Sequence, residues 1–168
     1  MPPSSPTDPA GPTAFDLLLK KVEQSGLPFV LHEHRATRTV QEADRHLDLD
    51  VTRLVKTVGF LTRDGRLVLA GLRGTRRVDY AALSRFLGVN RRDVATLSPE
   101  QVRELLGVEP GSVSPIALAK QAVVLLDEDV LAVSPTVYCG IGRPDRTLEM
   151  TPGDLLQAAG AKPARFSK

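Results

Sequence analysis

Tryptophan is absent, and aromatic residues make up only 4% of the 168 positions. Proteins that hold single-stranded nucleic acid without sequence preference stack its bases on aromatic side chains. Any nucleic-acid contact here must therefore come from backbone charge and one specific pocket. Cysteine occurs once, as Cys139, which excludes an internal disulfide and a cysteine-built metal site and suits a reducing cytoplasm. No apolar run reaches the ~18 residues of a membrane span. The opening Met1-Pro-Pro-Ser-Ser-Pro6 has neither the basic segment nor the apolar stretch of a signal peptide. A Gly-x-Gly-x-x-Gly run and a phosphate loop are also missing, which argues against a nucleotide cofactor. No histidine follows His46, so a Cys–His nucleophile pair would depend entirely on tertiary contact. Neither cofactor nor metal is expected.

What is present is ordinary globular composition, 42% hydrophobic and 25% charged, with a net charge of +2. Residues 1–12 carry five prolines and read as a disordered tail, leaving 13–168 as one domain. Thr13 is placed to cap a helix over 14–25, with Phe15, Leu17, Leu18 and Val22 buried and Gly26 as terminator. Leu27–His34 reads as a strand that puts His32 and His34 on one face. Two histidines at that spacing suit either a metal or a plain strand face, and His46 is the only further ligand candidate. Thr39-Val-Gln-Glu42 forms a capping box opening a helix over 40–47. Asp50 then caps one turn that delivers the chain into the next strand.

The centre of the chain is Leu54-Val-Lys-Thr-Val-Gly-Phe-Leu61, a buried-strand pattern interrupted by Lys56. An ammonium there either snorkels to water or stands at a pocket rim as a cationic donor to a carbonyl, carboxylate or phosphate. Arg63-Asp-Gly65 marks a hairpin turn, returning as a strand over 66–72. A helix follows over 79–87, with Leu83, Phe86 and Leu87 inward, then a short strand over 93–96. Ser98-Pro-Glu-Gln101 is a second capping box, for a helix over 99–106. Strands are expected over 122–126, 136–140 and 147–150, and Thr151-Pro-Gly-Asp154 caps a last helix over 152–159. Interleaved helices and strands with hairpins predict an α/β (α+β) domain, a mixed and mostly antiparallel sheet or partly closed barrel surrounded by helices. Asp127, Glu128 and Asp129 suit a cation site or a solvated turn. Arg73, Arg76, Arg77, Arg91 and Arg92 suit contacts to a polyanion or a solvated surface. Gly111-Ser-Val-Ser-Pro115 combines a flexible glycine, two hydroxyls and a fixed exit, so its amides can face a carbonyl oxygen or simply make a turn. Gly140-Ile-Gly142 offers a second glycine loop.

Four segments keep a recognisable order: Thr39-Val-Gln-Glu-Ala43, Val55-Lys-Thr57, Gly107-Val-Glu-Pro-Gly-Ser-Val-Ser-Pro115, and Tyr138-Cys-Gly-Ile-Gly-Arg-Pro-Asp-Arg-Thr-Leu-Glu149. Together, from about Thr13 to Ala159, they resemble the YbaK/EbsC family. These are stand-alone aminoacyl-tRNA deacylases related to the editing domain of bacterial prolyl-tRNA synthetase. The resemblance implies a compact editing domain whose pocket hydrolyses the ester of a misacylated tRNA. By this analogy Lys56, Gly111 and Ser112 are the catalytic set. Thr39, Thr57, Val113, Ser114, Pro115, Gly140, Ile141 and Gly142 would contact substrate. The attacking group would be a bound water or the substrate's own thiol. The implied partners are the acceptor end of the tRNA and prolyl-tRNA synthetase, without a membrane, for a cytoplasmic monomer or homodimer. Where the cysteine-specific branch has Gly-Gly before Ser-Pro and a later Gly-Leu-Asp, this chain has Gly111-Ser-Val-Ser-Pro and Asp145-Arg-Thr147. Cysteine, alanine and other small amino acids all stay open as the group removed. A non-catalytic module that binds tRNA, DNA or a synthetase is the alternative.

Overall fold

The structure, a computed structural model, describes residues 11–37, 39 and 48–168. The expected helix over 40–47, the tail up to residue 10 and His46 lie outside the described residues. Local signals act as their chemistry requires. Thr13 and Asp16 close a reciprocal capping box on α1 (Ala14–Gln24), satisfying amides that the first helical turn leaves free. The strand β1 (Val30–Glu33) is shorter than the sequence pattern and stops before His34. Asp50 accepts from the Thr52 amide at 3.0 Å and caps a single turn, Val51–Arg53.

That turn feeds β2 (Leu54–Thr62), which folds back through the Asp64–Gly65 turn onto β3 (Leu67–Arg73). Then come α2 (Tyr80–Leu87), β4 (Val94–Thr96), and α3 (Pro99–Gln101), which widens into a π-helical turn at Val102–Leu106. The rest is β5 (Val123–Asp127), α4 (Glu128–Leu131), β6 (Val137–Gly140), β7 (Arg146–Met150), α5 (Pro152–Ala159) and β8 (Lys162–Ala164).

These strands form one mixed sheet in the order β1-β7-β6-β2-β3-β5-β8, with β4 paired to the far end of β2. The β2/β6, β3/β5 and β5/β8 pairs are parallel, and the others are antiparallel. Helices flank it, and apolar side chains pack in two main clusters. One gathers Leu18, Val22, Val55, Cys139, Leu148 and Leu155 beneath α1 and α5. The other gathers Phe60, Leu72, Leu83, Leu125 and Phe166 beneath α2. Alternation along β2 sends Val55 to the first and Phe60 to the second.

Three expectations need correction. Leu17 and Phe86 lie at the margins of their helices' apolar stripes and are exposed at 41% and 46%. The acidic trio is not a solvated turn: Asp127 is buried and caps α4 through the Asp129 amide. Its second oxygen accepts the Phe166 and Ser167 amides at 2.8 and 2.9 Å, tying the final segment to the sheet. Among the described residues no three His, Cys, Asp or Glu side chains converge as metal ligands. No helix there is long and apolar enough to cross a membrane.

Candidate functional site

The register of β2 against β6 runs through Leu54–Tyr138 and Val55–Cys139. Past it the two chains part, since β2 continues while β6 ends at Gly140. A cleft of about 670 Å³ opens at this seam, within the range of small-molecule sites. Because Gly140 pairs with Thr147 and side chains alternate across a strand, Lys56, Gly140 and Thr147 share one face of the sheet.

Lys56 lines this cleft. Its Nζ donates to the carbonyls of Arg76 at 2.5 Å and Gly74 at 3.4 Å, both in the loop after β3. Partial burial, with the Arg77 charge nearby, lowers its pKa below the ordinary lysine value. The amine is therefore held by neutral acceptors, with no carboxylate partner among the described residues. Across the cleft stand Arg143 and Arg146. Asp145 bridges them, with both Arg143 contacts at 2.9 Å and Arg146 at 3.0 Å. No acidic residue lines the cleft among the described residues, so its field favours an anion.

The Gly107–Pro115 loop supplies the third wall. Gly111 sits at φ +92°, a conformation that only glycine adopts without strain. Gly111 and Val113 line the cleft, and neither amide makes a hydrogen bond to the described residues. The Ser112 amide is spent on the Glu109 carbonyl at 3.0 Å, and the Ser112 carbonyl accepts from Gly142 at 2.9 Å. Gly140 permits this packing, since a Cβ there would lie 2.6 Å from the Val113 carbonyl oxygen.

Of the residues anticipated from sequence, Thr39, Lys56, Thr57, Gly111, Val113 and Gly140 therefore meet around one cleft. Thr57 Oγ1 is buried with no hydrogen-bond partner among the described residues. The others stand elsewhere. Ser112 is 1% exposed, its hydroxyl buried outside the cleft wall and unpartnered among the described residues. Ser114 is buried too and accepts the Ile116 amide at 3.1 Å; Pro115 is buried behind it. Ile141 is fully buried in the core. Gly142 lines a shallow surface beside Phe15 and Arg103.

Residues that sequence reasoning passed over join the wall: Thr37, Thr75, Arg143, Arg146 and Thr147. His34 lies behind Thr147, its Nε2 2.7 Å from Thr147 Oγ1. The spacing of two polar residues on neighbouring strands hints at such a pair, but only the register joins them. His32 instead contacts Glu149 at 2.7 Å. The basic residues also divide. Arg73 and Arg76 pair with Asp129 at 3.9 and 3.2 Å, and Arg91 lies 4.0 Å over the Tyr80 ring. Arg77 and Arg92 are exposed.

Residues 34–158 match the family model of the aminoacyl-tRNA editing domain. The chain is 29% identical over 116 residues to a proline–tRNA ligase of Aquifex aeolicus, covering 68% of this chain and 20% of that enzyme. It thus spans about a fifth of that ligase's length. An uncharacterised Bacillus subtilis protein, YwhH, is 27% identical over 127 residues, 76% of this chain and 78% of YwhH. Among solved structures, a protein proposed as a trans-editing enzyme for prolyl tRNA synthetase superposes with a TM-score of 0.78 at 29% identity, covering 95% of this chain and 99% of that one. A hypothetical protein superposes with a TM-score of 0.81 at 30% identity, covering 90% and 99%. With a matched span that takes in Lys56, the Gly111 loop and the Gly140–Thr147 wall, the chain belongs to the aminoacyl-tRNA editing domain family.

Proposed function

We propose that the protein is a trans-editing deacylase in the cytoplasm, hydrolysing the ester of a misacylated tRNA carrying cysteine, alanine or another small amino acid. The tRNA is that for proline, by the likeness to prolyl-tRNA synthetases. The observation that carries this reading is the cleft itself. Three cations, Lys56, Arg143 and Arg146, surround a space also lined by Val113, Pro144 and Gly140. A terminal adenosine with its phosphate suits the cationic rim, and a small side chain suits the apolar wall. Lys56 orients the phosphate, a ribose oxygen or the ester carbonyl. The Gly111 and Val113 amides supply donors for the oxygen on which charge develops, a contribution of about 3 kcal/mol for one such donor. The ester is already activated, so donors plus positioning suffice without a protein nucleophile.

The test is release of free amino acid from mischarged tRNA under saturating protein, compared across cysteinyl, alanyl and seryl esters on tRNA for proline. Loss of the ester faster than in buffer supports the deacylase. Protection of the ester makes the protein a binding module instead.

A further inference from the structure

We propose that Thr147 and His34 form the proton relay of this cleft, Thr147 touching the attacking water and His34 acting as the base behind it. The proposal rests on the deacylase reading and deepens it.

His34 lies just past β1, where its backbone amide donates to the Asp145 carbonyl at 3.1 Å. Its Nδ1 is 2.6 Å from the Arg35 carbonyl oxygen. A carbonyl only accepts, so Nδ1 carries the proton and, in the neutral ring, Nε2 presents its lone pair. That lone pair faces Thr147 Oγ1 at 2.7 Å, so the threonine hydroxyl donates to it. Thr147 is 7% exposed and lines the cleft, whereas His34 does not. Hydroxyl, ring and carbonyl thus stand in the order acceptor of a proton, base, and orienter of the base, the arrangement by which a weakly acidic group is activated. The register places Thr147 directly opposite Gly140, on the same sheet face as Lys56. The relay and the cationic donor therefore address one space.

The step balances without a co-reactant. Water oxygen bonds to the ester carbonyl carbon, its proton passes to Thr147 Oγ1, and the Thr147 proton passes to His34 Nε2. The tetrahedral intermediate then collapses and the bond from carbon to ribose oxygen breaks. The relay runs backward, returning the proton to the ribose oxygen. Free amino acid and tRNA with its terminal hydroxyl result. Thr147 forms no bond to carbon.

The experiment measures kcat and KM for single amino-acid release with four variants, each checked for folding by thermal unfolding. His34→Gln keeps a hydrogen-bonding group near Nε2 but no base, and is expected to lower kcat about 100-fold with KM nearly unchanged. Thr147→Val, which removes the hydroxyl, is expected to match it, and Thr147→Ser to restore kcat to within about fivefold of wild type. The double variant His34→Gln with Thr147→Val should fall no further than either single change, since the two act as a unit. A purely structural pin between β1 and β7 would lower unfolding temperature and leave kcat. Folded His34→Gln at wild-type kcat, Thr147→Ser as inactive as Thr147→Val, or an acyl group found on Thr147 would each overturn the relay. Wild-type protein that releases no amino acid would instead refute the deacylase reading itself, so the two failures are separable.

Discussion

Two buried polar regions of the molecule differ in how completely their hydrogen bonds are made. Around Asp127 everything is paired: one carboxylate oxygen takes the Asp129 amide, the other takes the Phe166 and Ser167 amides. Around the cleft, Thr57 Oγ1 is buried without a partner among the described residues. There Lys56 rests on two backbone carbonyls with no counter-ion among the described residues. A saturated network holds chain to chain and offers nothing to a ligand. Groups left unsaturated are costly to the fold, typically by about 1–3 kcal/mol each. They are the ones a substrate can complete. Unsaturation marks the site only together with the open cleft, since Ser112 Oγ and Arg73 Nε are also buried and unpartnered among the described residues but do not line it.

The largest effect that would break this distinction lies at Lys56. Replacing Lys56 with alanine is expected to lower kcat/KM for deacylation about 100-fold or more, with little change in unfolding temperature, because the side chain contributes charge to the cleft and not packing to either core. A Lys56→Ala protein that deacylates at the wild-type rate would remove this lysine from the chemistry.

Asp127→Ala probes the opposite region. It strips three amide donors of one acceptor group and should cost about 3 kcal/mol of stability in denaturant titration. The kcat of the remaining folded protein should stay near wild type. A large kcat loss at unchanged stability would mean that the clasp serves the site, and the contrast between the two regions would fail.

The same contrast explains what could be read from sequence. Caps at Thr13, Ser98 and Thr151 and the Asp64–Gly65 turn are local, with the donors and acceptors within four residues. They appear in the structure where their residues imply. The role of Asp127 depends on amides 39 and 40 residues away, and the His34–Thr147 contact spans 113 residues. Neither has a local signature. Strand β8 and helix α4 were missed for a related reason, since a three-residue strand and a single helical turn carry too little pattern to stand out. Within the glycine-rich loops, composition pointed to the right backbone but not to the right atoms. Gly111 faces the cleft, whereas Ser112 and Ile141 turn into the core.

Cys139 sharpens the comparison from its smallest end, because it borders the cleft yet belongs to the core. It is 2% exposed, and burial pushes its thiol up to about 12. A thiol that stays protonated at neutral pH is a poor nucleophile. Cys139→Ala is therefore expected to retain deacylation within about threefold of wild type. Native protein should resist iodoacetamide at neutral pH, with labelling appearing only on unfolding. The raised pKa has a thermodynamic counterpart. The folded value lies above the ordinary 9.0, so the stability that comes from keeping the thiol neutral is complete below pH 9 and is lost progressively as pH rises from 9 towards 12. Unfolding titrations of wild type and Cys139→Ala should accordingly converge in stability through that window, the variant being the less pH-sensitive of the two. Rapid native labelling accompanied by loss of activity would place the thiol among the cleft's working groups and not in the inert core.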